Sequence, residues 1–157
     1  MTEPAEISIR TEPKGDAYRV LVDTLVGHAA QFLLVVRDQL DLSPAGRQTL
    51  DALEPFKQRV ERKSEWPGTE LIGHFAEVGY YKCSPGSASV LKRSSPGLYA
   101  WQQPHLPEDL CFLDQNGEVL LASVAHEADG WVRSGPVAQA IRSALGDGYV
   151  AADEVDA

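Results

Sequence analysis

An Asn-Gly pair at positions 116–117 is the feature that most restricts the fold of this 157-residue chain. It lies between two apolar segments, 110–113 and 118–125, and both of its residue types tolerate the positive φ angles of a tight hairpin turn. We therefore expect an antiparallel hairpin here. In the expected register, Leu113 faces Leu120 and Phe112 faces Leu121.

Apolar periodicity predicts further elements along the chain. Apolar residues recur at helical spacing over 17–29, where Asp16 can cap the helix, whereas 32–36 is continuously apolar and is typical of a buried strand. Segments 71–75 and 78–83 are predicted as two strands joined by a turn around Glu77 and Gly79. Trp131-Val132 is predicted to add another strand.

Serine followed by proline is a favourable start for a helix, because serine caps the first turn and proline fits its first position. The chain has three such pairs: Ser43-Pro44, Ser84-Pro85 and Ser95-Pro96. They predict helices over 44–63, 85–93 and 96–101, with a break or kink at Pro55, which lacks an amide proton. Pro136 is predicted to begin a last helix over 136–145.

These elements predict a single α+β domain over 1–157. A mainly antiparallel sheet of about five or six strands is expected to carry its helices, 17–29, 44–63 and 136–145, mainly on one face. The first 13 residues are predicted to be a loose arm that can add an edge strand through Ile7 and Ile9. The acidic segment 146–157 is predicted to be a frayed tail.

Composition excludes several classes of protein. The chain has 14 Lys+Arg and 23 Asp+Glu, a net charge of −9 and a pI near 4.8, which disfavours nucleic acid and anionic membrane surfaces as partners. No apolar run approaches the roughly 20 residues of a membrane-spanning helix. The start of the chain has no secretory-signal pattern, and its two cysteines are too few for a disulfide framework, so we expect a cytoplasmic protein.

The charge is unevenly distributed along the chain. Residues 94–132 hold six acids and no Lys or Arg, whereas 57–93 hold seven bases and four acids. Acids beside aromatic anchors suit an interface with a basic protein. The candidate contact residues are Trp101, Glu108, Asp109, Glu127, Asp129 and Trp131. The alternative is that the tryptophans belong to the core and the acids only solvate the ends of hairpins.

This distribution favours a non-catalytic acidic protein-binding domain, such as an immunity-type inhibitor of a basic toxin or nuclease. The segments Leu106-Pro107, Phe112-Leu113 and Asn116-Gly117 resemble the Leu-Pro, Phe-Leu and Asn-Gly run of SUKH-type bacterial immunity proteins. The resemblance covers about a dozen residues of the 157, and we do not assign the chain to that family on this basis.

A second hypothesis is a cysteine-dependent hydrolase or transferase. Cys83 precedes the helix predicted after Ser84-Pro85, and a helix N-terminus favours the thiolate. His126 is the candidate base, with Glu127 or Asp129 to orient it. A third hypothesis is a structural adaptor in a larger assembly, and the oligomeric state stays open.

No cofactor or metal site is expected from the motifs. His126-Glu127 is followed by Ala-Asp-Gly rather than by a second histidine at ligand spacing, and His28, His74 and His105 are distant in sequence. Glycine-rich nucleotide-binding motifs and a nucleophile elbow are missing from the sequence.

Overall fold

An antiparallel sheet, with continuously buried strands at its centre, dominates the computed structural model, which describes residues 5–152. Nine strands are defined: β1 (Glu6–Ser8), β2 (Gln31–Arg37), β3 (Lys57–Lys63), β4 (Glu65–Trp66), β5 (Thr69–Glu70), β6 (Ala76–Lys82), β7 (Glu108–Leu113), β8 (Val119–Val124) and β9 (Asp129–Arg133). Seven of them form one sheet in the order β1-β9-β8-β7-β2-β6-β3, and every neighbouring pair is antiparallel. The short strands β4 and β5 form a separate hairpin. The predicted α+β architecture is confirmed, with seven strands in the main sheet rather than five or six.

Four helices accompany the sheet: α1 (Asp16–Val26), α2 (Pro44–Leu53), α3 (Pro85–Ser94) and α4 (Pro136–Leu145). The Ser-Pro pairs act as predicted at two of these starts. The side chain of Ser43 accepts a hydrogen bond from the Gly46 amide, and Ser84 and Ser87 form a reciprocal capping box. After the third pair, the chain forms only a short 3₁₀ turn, Leu98–Ala100. None of the helices in the described range has the length and apolar character needed to cross a membrane.

All four helices pack on one face of the sheet, as the sequence predicts. Their apolar side chains join those of the sheet, including Phe32 and Phe112, in one buried cluster. A hydrogen-bond chain crosses this core, since Trp101 Nε1 donates to the Tyr18 hydroxyl (2.9 Å), which donates to the Leu91 carbonyl (2.7 Å). The face is therefore tied together by buried polar contacts as well as by apolar packing.

The opposite face of the sheet carries a smaller buried cluster, which includes Leu33, Val78 and Cys111. Trp66 of the β4–β5 hairpin is part of this cluster. At the hairpin tip, Gly68 has a φ of 84° and lies directly against Val124 and Trp131, where a side chain would collide with both. A two-stranded hairpin thus covers part of the face that has no helix within residues 5–152.

The segment after α2 differs most from the sequence prediction. The helix predicted over 44–63 ends at Leu53, Pro55 lies in a 3₁₀ turn, and the charged segment that follows is the edge strand β3. The predicted strand 71–75 is a loop, and Glu77 and Gly79 lie within β6 rather than in a turn. Pairing with β6 thus overrides the helical preference of a Lys/Gln/Arg/Glu-rich segment.

The Asn-Gly hairpin forms between β7 and β8. Phe112 pairs with Leu121 as predicted, but Leu113 pairs with Val119 rather than Leu120, because the register shifts between these positions. Asp114 closes the turn by accepting hydrogen bonds from the amides of residues 116 and 118.

The N-terminal arm and C-terminal segment meet at the other edge of the sheet. Ile7 is buried in β1, and Ile9 forms an isolated bridge with Val150, which is also buried. These parts of the predicted loose arm and frayed tail therefore pack on the fold. Residues 1–4 and 153–157 lie outside the described residues.

A pair of aliphatic truncations tests the assignment of α2 to the core. Leu53 is fully buried, whereas Ile72 is 90% exposed in the loop after β5. We expect L53A to lower the free energy of unfolding by about 2–5 kcal/mol and I72A to change it by less than about 0.5 kcal/mol. Urea denaturation of both variants measures the difference, and equal effects would contradict the packing described here.

Candidate functional site at the start of β7

Two adjacent acids, Glu108 and Asp109, begin β7 and are both buried, at 3% and 0% exposure. Neighbouring residues of a regular strand point to opposite faces. Here Asp109 has a φ of 59°, and the pairing of β7 with β2 shifts register beside it, which is typical of a bulge. The bulge lets both carboxylates lie in the same cluster.

Asp109 is held by groups from two other parts of the chain. One carboxylate oxygen accepts a hydrogen bond from the indole of Trp66 (2.9 Å), and the other accepts one from the Ala125 amide (3.0 Å). Its own amide donates to the Trp101 carbonyl (3.2 Å). Asp109 therefore connects the β4–β5 hairpin, the start of β7 and the turn that follows β8.

Glu108 is less completely paired. One of its oxygens accepts a hydrogen bond from the Gln103 amide (3.3 Å), while the other lies 3.5 Å from Arg37 Nε without forming a hydrogen bond. Burial raises the pKa of Glu108, and the charge of Asp109 raises it further, against the lowering effect of Arg37. The arrangement favours a proton or another cation at this carboxylate.

His126 completes the cluster from the 3₁₀ turn Ala125–Glu127, directly after β8. One ligand atom of each of Glu108, Asp109 and His126 lies within 4.8 Å of the other two. His126 is exposed, and its Nε2 also lies 3.5 Å from a carboxylate oxygen of Glu127. The cluster therefore combines a solvent-accessible imidazole with two buried carboxylates.

Three of the predicted contact residues need correction, because they are not on the surface. Trp101 is fully buried, where its indole bonds to Tyr18, and it is part of the core rather than an anchor for a partner. Glu108 and Asp109 are buried in the cluster described above. None of these side chains offers surface to a protein partner.

The other three predicted contact residues lie close together. Glu127 and Asp129 are exposed, and Trp131 is partly buried at the tip of the β4–β5 hairpin. Asp129 and Trp131 are two residues apart in β9 and therefore point to the same side of the sheet. The structure thus retains a smaller acidic group beside one partly buried tryptophan.

The structure does not bring Cys83 to His126. The Cys83 amide donates a hydrogen bond to the Ala30 carbonyl, at one end of β2. His126 lies beside Glu108, which pairs with Val35 near the other end of β2. Five residues of extended strand separate these points by about 17 Å. Cys83 instead lines an open cleft of about 640 Å³ with Arg59, Lys82 and residues of the Asn-Gly turn.

The local environment of Cys83 also disfavours the thiolate form that the enzyme hypothesis requires. Burial raises its pKa to about 12, although the residue stands just before the N-terminus of α3. A thiol that stays protonated at neutral pH is a poor nucleophile, even where it is only partly buried, as Cys83 is. The dyad of the cysteine-dependent enzyme hypothesis is therefore not assembled in this structure.

The sequence reasoning missed the cluster of Glu108, Asp109 and His126, having paired His126 with Glu127 and distant histidines. One signal was available in the sequence: two adjacent acids stand directly before the apolar run 110–113. Carboxylates rarely occupy buried strand positions, so acids at the start of a buried strand are candidates for a functional role. Their convergence with His126 depends on the bulge, which no spacing rule indicates.

Comparison with known proteins assigns no relative: no family model, no curated protein and no solved structure matches this chain.

Alkylation of Cys83 tests its assignment as an unreactive thiol. In a C111S background, which leaves Cys83 as the single thiol, we expect the iodoacetamide rate of the folded protein to keep rising above pH 9. Burial raises the pKa of Cys83 to about 12, so the thiolate fraction at pH 8 is small. A plateau below about pH 8.5, the ordinary value of a free thiol, would contradict this assignment and restore the enzyme hypothesis.

Proposed function

We propose that this chain is a non-catalytic binding domain for a basic protein, with the class of immunity-type inhibitors of basic toxins or nucleases as the best physical match. The observation that supports the proposal most is the group of exposed acids Glu127 and Asp129 beside Trp131. We call Glu127, Asp129, Trp131 and the hairpin acids Glu65 and Glu70 the acidic surface.

The acids of this surface lack cationic partners of their own. Within residues 5–152, neither Lys nor Arg forms a salt bridge with any of the four, and only His126 lies near Glu127. Some acids elsewhere have such a partner, for example Asp114 with Arg133 and Asp23 with Lys92. Others in residues 5–152, such as Asp51 and Asp147, form no salt bridge but lie apart from this group in the sequence. Unpaired surface charge of one sign attracts a partner of the opposite sign and speeds the encounter.

The β4–β5 hairpin supports the same interpretation. Glu65 and Glu70 are directly opposite each other in this two-stranded hairpin, and both are exposed. Like charges at opposed positions destabilise a strand pair. A cationic partner docked beside them would relieve that repulsion.

Trp131 provides the apolar part of the acidic surface. It packs against Gly68 at the hairpin tip, and Val124, which Gly68 also contacts, pairs with Asp129. The tryptophan therefore packs on the hairpin, two residues from Asp129 along β9. Tryptophan is enriched among the residues that dominate binding energy, and a ring already packed on its neighbours loses less entropy when a partner covers it.

Charge reversal with a matched control tests the acidic surface. E127K/D129K and the control D51K/D147K each move the net charge from −9 to −5, but Asp51 and Asp147 are exposed acids outside the acidic surface. Used as bait in native lysate at low salt, the wild type is expected to retain one stoichiometric basic protein that elutes as salt rises.

E127K/D129K is expected to lose that protein and the control to keep it. With the purified partner, the association rate should fall by about tenfold for E127K/D129K at low salt, with a flatter salt dependence. Equal retention by both variants would show that the overall acidity of the chain, rather than this surface, carries the interaction. If the wild-type bait retains no basic protein, the result contradicts the proposal.

A further inference from the structure

The cluster of Glu108, Asp109 and His126 has the donor set of a metal site. It is the group of His, Cys, Asp and Glu side chains in residues 5–152 whose ligand atoms all lie within 4.8 Å of one another. Metal–ligand bonds of about 2.1 Å allow a separation of up to about 4.2 Å between ligand atoms. The exposed His126 side chain can close the remaining gap by rotation, while burial fixes the two carboxylates.

One buried oxygen of the cluster accepts no hydrogen bond, although the Arg37 guanidinium lies close to it. Glu108 Oε2 has no hydrogen-bond partner although its residue is 3% exposed, and Arg37 Nε, 3.5 Å away, likewise has no acceptor. Leaving a buried polar atom unpaired is costly, and such atoms in folded proteins usually mark a missing ligand, water or proton. A cation bound to this oxygen would satisfy it.

The charge balance agrees with that conclusion. Two carboxylates, Glu108 and Asp109, are buried beside a single guanidinium, that of Arg37, which leaves one negative charge uncompensated. Buried charges are paired or coordinate metals. A divalent cation would bring the cluster to a small positive charge at its solvent-facing side, where His126 is exposed.

We propose that Glu108, Asp109 and His126 bind one divalent first-row metal ion such as Zn²⁺ or Mn²⁺. One imidazole nitrogen and two carboxylate oxygens form a three-ligand set for such ions, and the exposed side leaves room for water as a further ligand. Ca²⁺ fits less well, since it takes six to eight oxygen ligands. This inference does not depend on the proposed partner binding.

The hydrogen bonds to Asp109 complete the proposed site. A carboxylate has about four lone-pair positions, and the Trp66 indole and the Ala125 amide use two of them. The remaining positions stay available to a metal. Hydrogen bonds of this kind orient a ligand and raise metal affinity by about 10–100-fold.

A proton on Glu108 is the competing way to balance the same charge. The two alternatives differ in what titration of metal-free protein shows. Metal binding is saturable with one ion per chain and depends on the His126 ring, whereas a protonated cluster binds no metal.

Calorimetric titration of chelator-treated full-length protein with ZnCl₂ and MnCl₂ tests the proposal, with CoCl₂ absorption as a spectroscopic readout. The variants are H126A and the control H74A, because His74 is an exposed histidine in the loop before β6 and belongs to no ligand cluster. Both positions are exposed, so both variants should fold.

We expect one ion per wild-type chain, about tenfold or more weaker binding by H126A, and H74A within about twofold of wild type. The thermal midpoint should rise with metal in wild type and H74A and rise less in H126A at the same metal concentration, because a ligand that binds only the folded state stabilises it by an amount that increases with its affinity. Absence of saturable binding for all three metals, or equal behaviour of H126A and wild type, would overturn the proposal.

Discussion

The buried carboxylate of Asp109 is the contact on which the face without helices depends. It accepts hydrogen bonds from the Trp66 indole and the Ala125 amide, and so joins the β4–β5 hairpin and the turn after β8 to the start of β7. The hairpin in turn covers part of the second face and holds Trp131 at its tip. Both proposals start from this contact: the acidic surface is built on the hairpin and the turn, and the metal cluster includes Asp109 itself.

Much of the fold could be predicted because local chemistry decides it. The Ser-Pro starts of α2 and α3, the apolar strand β2 and the Asn-Gly hairpin follow from capping, burial and turn geometry. β3 could not be predicted, because its alternating charges are typical of a helix. Its strand form depends on pairing with β6, and on the Arg59 guanidinium 3.8 Å from the centre of the Tyr80 ring, which only tertiary structure brings together.

The candidate site was less predictable than the fold, for two physical reasons. Burial of a tryptophan depends on partners far along the chain, as with Trp101, whose hydrogen-bond acceptor Tyr18 is 83 positions away. Convergence of Glu108 and Asp109 requires a positive φ at Asp109, which breaks the alternation that every strand prediction assumes. The exposed acids Glu127 and Asp129 were recognisable because Glu127 lies in the short turn after β8 and Asp129 is the first residue of β9, so both are at the end of a hairpin, where exposure is expected.

A double-mutant cycle between Asp109 and Trp66 tests the central contact most directly. D109N removes the charge but keeps a residue type that tolerates the left-handed backbone at this position, and W66F keeps the aromatic ring but removes the indole donor. The unfolding free energies of the two single variants and the double variant should show a coupling of about 1.5 kcal/mol or more, as expected for a buried hydrogen bond to a charged group. Additivity within about 0.5 kcal/mol would contradict the role given to the charge of Asp109 in holding the hairpin.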